Sequence, residues 1–193
     1  QSRCEKQNPV SDEEFIEFIS NQVQEWNENQ KVRIIDLVEQ TTIQLQRFNL
    51  PFPEIIYLVR TTGKEESNTH YSRQNAIFIP RGTISSKIFV HELFHILSRT
   101  NPPLQNRLYE IIGFYPCLND IELPAKWQET WKITNPDAPI IRHFIRVEHE
   151  GKSLQLVPVL LASWGYHGGS LFHYLWHIMM AIEERENRHV PVY

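Results

Sequence analysis

Cysteine, methionine and glycine are all scarce in this 193-residue chain, at two, two and seven residues. Two cysteines cannot build the disulfide framework of a small secreted scaffold, and a chain of this length buries a continuous core without one. No internal repeat, low-complexity tract or obvious linker occurs, so nothing points to a solenoid or a tethered array. No run of about 18 apolar residues is present, and the N-terminus lacks the charged-then-apolar pattern of an export signal, which leaves no membrane span to place. Charge of one sign is not in excess either. With 19 Lys and Arg against 23 Asp and Glu, the net charge of -4 gives no footprint for nucleic acid or for an anionic membrane surface. What is present is an average balance, 41% hydrophobic and 22% charged, which predicts one domain over residues 1–193.

The chain opens on Gln1, which follows either from a removed leader or from a boundary within a longer sequence. Cys4 and Cys117 either tie the N-terminal segment to the domain by a disulfide or are two unrelated buried thiols. Gln1, Ser2 and Arg3 before Cys4 do not resemble a lipoprotein attachment site. The expectation is an extracellular or periplasmic protein.

Ser11 with Glu14 three residues on forms a capping box, and Phe15, Ile16, Ile19 and Val23 follow at helical spacing, so Ser11 to Asn27 reads as an amphipathic helix. A second helix is predicted from Lys31 to about Phe48, with Ile34, Leu37, Val38, Ile43 and Leu45 on its apolar face and Pro51 and Pro53 beyond its end. Together they form an N-terminal helical subregion, 11–48. Ile55 to Arg60 and Asn75 to Pro80 read as strands, separated by a polar turn or mobile loop from Thr61 to Gln74. Helices are then predicted from Thr83 to Thr100, with Thr83 or Ser85 as the start, and from about Pro103 to Ile112, which closes a sheet and core subregion at 55–113. In the C-terminal subregion, 114–193, the stretch Asn119 to Asp137 is irregular, with Trp127 and Trp131 set to pack on the core. Arg142 to Glu148 and Ser153 to Leu160 form a predicted hairpin around Glu150-Gly151-Lys152, Pro158 pushing the second strand to an edge. Ser170 to Glu186 reads as a helix.

The chemistry is concentrated in His91-Glu92-Leu93-Phe94-His95. On a helix, residues four apart lie one turn above each other, so His91 and His95 direct their imidazoles to one point. Glu92 lies about 100° round from His91, beside such a point rather than on it. Two imidazoles hold a zinc ion; the ion lowers the pKa of a water towards 7, and a neighbouring carboxylate takes that water's proton. The surrounding Ile88, Phe89, Val90, Leu93, Phe94, Ile96 and Leu97 predict a helix buried nearly all round. Three ionisable side chains there need partners, and metal coordination supplies them.

This helix resembles the active-site helix of the zincin metallopeptidases. The metzincin branch continues with Gly and His where this chain has Ser98 and Asn101, so the resemblance excludes it. The thermolysin-like gluzincin branch takes its third ligand from a Glu on the next helix, and the resemblance implies Glu110, 15 residues after His95. Glu110 faces away from Leu104, Leu108 and Ile111, so an ordinary solvated face is the other reading. Asp120, Glu122 and the cluster Glu148-His149-Glu150 compete for the role. Asn75-Ala76-Ile77-Phe78 is similar to the gluzincin edge strand that pairs with extended substrate, implying Asn75, Ala76 and Phe78 as substrate-binding residues. The resemblance covers roughly residues 55–113. It implies a compact member of the branch with an α+β, zincin-like fold, a small sheet carrying an active-site helix and flanking helices.

Peptidases of this kind also need a donor for the oxyanion. Tyr166 and His167, in a turn flanked by Gly165 and Gly169, are candidates, His167 taken as the catalytic one and His143 standing behind them; a capped loop is the competing reading. His173 and His177 are again four apart, but no Glu follows the first, and they read as structural. The leading expectation is therefore a zinc-dependent peptidase acting on a peptide or protein, with His91, His95 and Glu110 on Zn2+ and Glu92 as general base. The alternatives are a non-catalytic zincin-like module that keeps the metal and binds a partner peptide, and a metal-free structural domain.

Overall fold

The computed structural model describes residue 4 and residues 10–124, 127, 140–162 and 167–192, Leu171 by its backbone alone. It is an α+β chain of four helices and two sheets among these residues. The chain divides into two compact units: Gln1–Asn101 with Tyr166–Leu171, and Pro102–Gly165 with Phe172–Tyr193. The subregion boundary expected at 113/114 falls inside the second unit. No helix among the described residues is long and apolar enough to cross a membrane.

In the first unit, α1 (Asp12–Ser20) starts on the predicted capping box. The Ser11 hydroxyl accepts from the Glu14 N–H at 3.2 Å, and the Glu14 carboxylate accepts from the Ser11 N–H at 3.0 Å. The helix stops at Ser20 and not at Asn27, because the next residues are used in extended form. Val23 bridges Thr61, the Gln24 N–H donates to the Arg60 carbonyl, and the Thr62 N–H donates to the Gln22 carbonyl. A second capping box, Asn27 with Gln30, starts α2 (Glu28–Leu45) one turn before the predicted Lys31; a 3-10 turn, Gln46–Phe48, ends it.

The sheet of this unit comprises β1 (Tyr57–Thr61), β2 (Tyr71–Arg73) and β3 (Ala76–Pro80) in the order β1-β3-β2. β1 runs parallel and β2 antiparallel to β3. β2 lies within the stretch predicted as loop. α3 (Ser86–Thr100) begins where the Ser85 hydroxyl accepts from the Ile88 N–H, and lays Phe89, Leu93 and Ile96 against Ile77 and Ile79 of β3. Leu37, Val38 and Leu45 of α2 pack on the same cluster. Removing a buried side chain here, as in Ile96→Ala, costs about 2–5 kcal/mol.

The second unit holds α4 (Pro102–Ile111) and a five-stranded antiparallel sheet: β4 (Phe114–Pro116), β5 (His143–His149), β6 (Lys152–Ala162), β7 (Leu175–Arg185) and β8 (Arg188–Pro191), in chain order. Its core joins Phe144, Val157, Val159, Leu161, Met180 and Ile182, with Ile121, Leu123 and Trp127 packed on the same cluster; Trp131 lies outside the described residues. The helix predicted from Ser170 to Glu186 is instead a 3-10 turn, Leu171–His173, and the strand β7. A continuous apolar run has no period that separates helix from strand, and pairing with β6 and β8 decides it. Both two-residue turns of the meander, Glu150-Gly151 and Glu186-Asn187, take positive φ at each residue, the primed geometry that suits hairpin twist. β6 is not the edge strand that Pro158 predicts, since it lies between β5 and β7. Its pairing with β5 nevertheless ends at Leu156, so among the described residues Pro158 is partnered by β7 alone, and a missing N–H is tolerated there.

Cys4 is a buried thiol and Cys117 a half-buried one; the two are not disulfide-bonded. Burial, with a smaller contribution from Asp120, pushes the Cys117 thiol up to about 11 from 9.0. At pH 8 its thiolate fraction, and hence its alkylation rate by iodoacetamide, is expected to be about a hundredfold below that of the unfolded chain. Mass spectrometry of the modified peptide measures this, and equal folded and unfolded rates would contradict it.

His143 holds α4 to β5: its Nε2 donates to Oδ1 of Asn106 at 3.0 Å, and its ring lies 4.7 Å from that of Tyr109. Burial first and Arg142 second push its pKa below 6.5. The unfolded chain therefore binds a proton that the folded chain releases, so the stability His143 provides is present above about pH 6.5 and is lost as pH falls from there through the lower folded value. The urea midpoint of this unit is expected to fall between about pH 7 and 5.5 more steeply in the wild type than in His143→Gln. Parallel slopes would refute the assignment.

Candidate metal centre

α3 does not lie buried all round, as its composition predicts. Ile88 and Val90 are 36% and 37% exposed, and a wet stripe runs along Lys87, His91 and His95 at four-residue spacing. The inner face carries Phe89, Leu93 and Ile96. Glu92, turned towards that side by its position, is 2% exposed. The helix thus places two imidazoles at the surface and one carboxyl beneath it.

The imidazoles meet. Their rings are nearly perpendicular, with centroids 4.5 Å apart, and Nε2 of His91 lies 2.9 Å from Nε2 of His95. Two nitrogens each about 2.0–2.1 Å from a tetrahedral zinc ion lie about 3.3 Å apart, so the observed 2.9 Å needs an opening of only about 0.4 Å. Imidazole nitrogen is a preferred zinc donor, and geometry and donor chemistry both fit the ion. No third His, Cys, Asp or Glu joins them as a metal-holding group among the described residues.

The remaining predicted site residues are distributed over both units. Glu110 is an exposed residue of α4, in the second unit. Of its competitors, Asp120 is engaged by Arg142, whose Nε donates at 2.8 Å, while Glu122, Glu148, His149 and Glu150 are exposed. His167 is exposed, and its segment, Tyr166–Leu171, returns to the unit that carries α3. Tyr166 lies outside the described residues. His173 and His177 are not one helical turn apart, since one ends a 3-10 turn and the other is in β7.

The substrate-pairing strand requires correction. β3 is central, paired with β1 over Ala76 to Pro80 and with β2 over Ala76 to Phe78, so its backbone has no free side on which to add a peptide. Asn75 is used structurally: its side-chain amide donates to the Ile55 carbonyl at 2.9 Å, and its own carbonyl accepts from the Tyr57 N–H. Phe78 stacks on its cross-strand neighbour Tyr71, centroids 4.6 Å apart.

The residue that sequence reading passes over is Arg99, in the last turn of α3. Its guanidinium donates to the Gln74 carbonyl at 2.9 Å and to the carbonyl and hydroxyl of Ser72 at 3.3 and 3.2 Å. Helix α3 is thereby tied to β2. A basic side chain at a helix C-terminus was the available signal, but its partners lie in a strand that the composition of 61–74 conceals. No protein-family model, no curated protein and no solved structure matches this chain.

Proposed function

We propose that the chain is a zinc-dependent peptidase in which His91 and His95 hold the metal and Glu92 is the general base. The observation that carries this reading is the convergence of the two Nε2 atoms at 2.9 Å beside a carboxyl that the same helix buries. Bound there, zinc supplies Lewis acidity, drawing the pKa of water towards 7 and polarising a peptide carbonyl. Glu92 accepts the proton from the water that attacks the carbonyl carbon and delivers it to the leaving amine nitrogen as the peptide bond breaks. One water is consumed and one acid and one amine are released. Glu110 is proposed as the third donor, and His167 as a hydrogen-bond donor to the oxyanion.

The competing reading is a module that holds the metal and binds a partner peptide without cleaving it. An edge strand at Asn75 to Phe78 would have served either reading, and the central position of β3 withdraws it from both. The intact Glu92 is what favours the catalytic one, since a purely structural site has no use for a carboxylate outside its ligand set. Elemental analysis of protein purified without chelators, paired with cleavage of a mixture of unfolded peptides, tests the proposal. About one zinc per chain and chelator-sensitive new amino termini are expected; absence of stoichiometric transition metal would end the catalytic reading, and metal without cleavage would favour the binding module.

A further inference from the structure

Behind α3, on the side away from His91 and His95, the first unit forms a half-open cavity of about 410 Å³. Phe89 and Leu93, which form part of its lining, each lie two residues from a histidine, about 200° round the helix, so the cavity is separate from the proposed metal centre. It lies along the C-terminal half of α2. In its 18 residues only Thr41 is buried, although Val38 and Leu45 face the cluster and are left half-covered. This volume falls within the range of ligand pockets.

The lining determines what fits. None of the described residues around the cavity is charged, so an ion buried there would lose its hydration without a partner. Thr42 in the last turn of α2, Gln46 at the start of the 3-10 turn after it and Asn49 just past that turn are polar, exposed residues of the lining. A helix C-terminus carries partial negative charge on its carbonyls, which repels a carboxylate and favours a hydrogen-bond donor. An alkyl chain of ten carbons with a hydroxyl has eleven heavy atoms. At roughly 30 Å³ each, water's share of its liquid, these fill about 330 Å³ of the available volume.

We propose that the cavity between α2 and α3 is a binding site for an uncharged single-chain amphiphile, a medium-length alkyl chain ended by a hydroxyl directed at Gln46 and Asn49. The apolar chain packs on Phe89 and Leu93, and the head meets the amides at the end of α2. The site functions independently of whether α3 hydrolyses peptides.

Titration of the full chain with 1-decanol, followed calorimetrically and by NMR, tests it. One decanol per chain is expected, with contacts from its methylenes to the Phe89 ring and the Leu45 methyls. Decanoate, with the same chain and a charged head, is expected to bind several-fold more weakly. Val38→Phe, which narrows the cavity, is expected to reduce decanol affinity at least tenfold. Absence of the Phe89 and Leu45 contacts, equal affinity for decanoate, or undiminished binding by a folded Val38→Phe protein would each overturn the proposal. Should that variant not fold, the contacts in the wild type and the comparison of the two head groups decide the matter.

Discussion

Glu92→Gln is expected to lower peptide cleavage by about 10²–10⁴-fold while leaving zinc content at the wild-type value. The two effects separate because the substitution keeps the shape of the side chain and removes only its capacity to take a proton. His91 and His95, whose nitrogens converge about 100° round the helix from Glu92, are untouched. Stability is expected to change little, because glutamine keeps the volume and shape of this buried side chain. Zinc analysis, a cleavage assay and a thermal melt on the same preparation measure all three. Metal loss in this variant would mean that Glu92 is a ligand and not a base; cleavage at the wild-type rate would remove it from the chemistry.

Helix α3 was legible because its information is local. Four-residue spacing brings two histidines together on any helix, and the Ser85 cap and the break at Asn101 to Pro103 set the ends of this one almost where predicted. The capping box at Ser11 and the turn at Glu150-Gly151 were legible for the same reason. What depended on distant partners was not. The stretch from Thr61 to Gln74 is polar and reads as loop, yet it buries Glu65 and Glu66 and supplies β2, because Tyr71 to Arg73 finds its pairing on β3. That one missed strand turned β3 from an edge into a centre and so displaced the predicted substrate groove. The run from Leu175 to Ile182 carries apolar residues on both faces, and only its ladder with β6 specifies a strand. The covering of α3 was overestimated because an apolar side chain is compatible with either burial or exposure, and Ile88 and Val90 take the latter.

His91→Ala is expected to weaken zinc binding by at least about a hundredfold, the upper end of what is lost when only an outer-shell partner of a ligand is removed. A small effect on folding accompanies it, since His91 is exposed and surface substitutions usually stay within about 0.5 kcal/mol. Glu110→Ala is the companion measurement that decides the branch of the resemblance. Glu110 is also exposed, so its loss is not expected to unfold α4, and a fall in zinc affinity there reports coordination and not stability. If Glu110 completes the site, the two variants both lose metal and neither loses its circular dichroism spectrum. If Glu110→Ala binds zinc as the wild type does while Glu122→Ala or Glu148→Ala does not, the third donor is downstream. The thermolysin-like resemblance then fails, although the role of Glu92 survives, because that role depends on α3 alone. Asp120 is the least suited of these competitors, since recruiting it to a metal would first require breaking its 2.8 Å bond with Arg142.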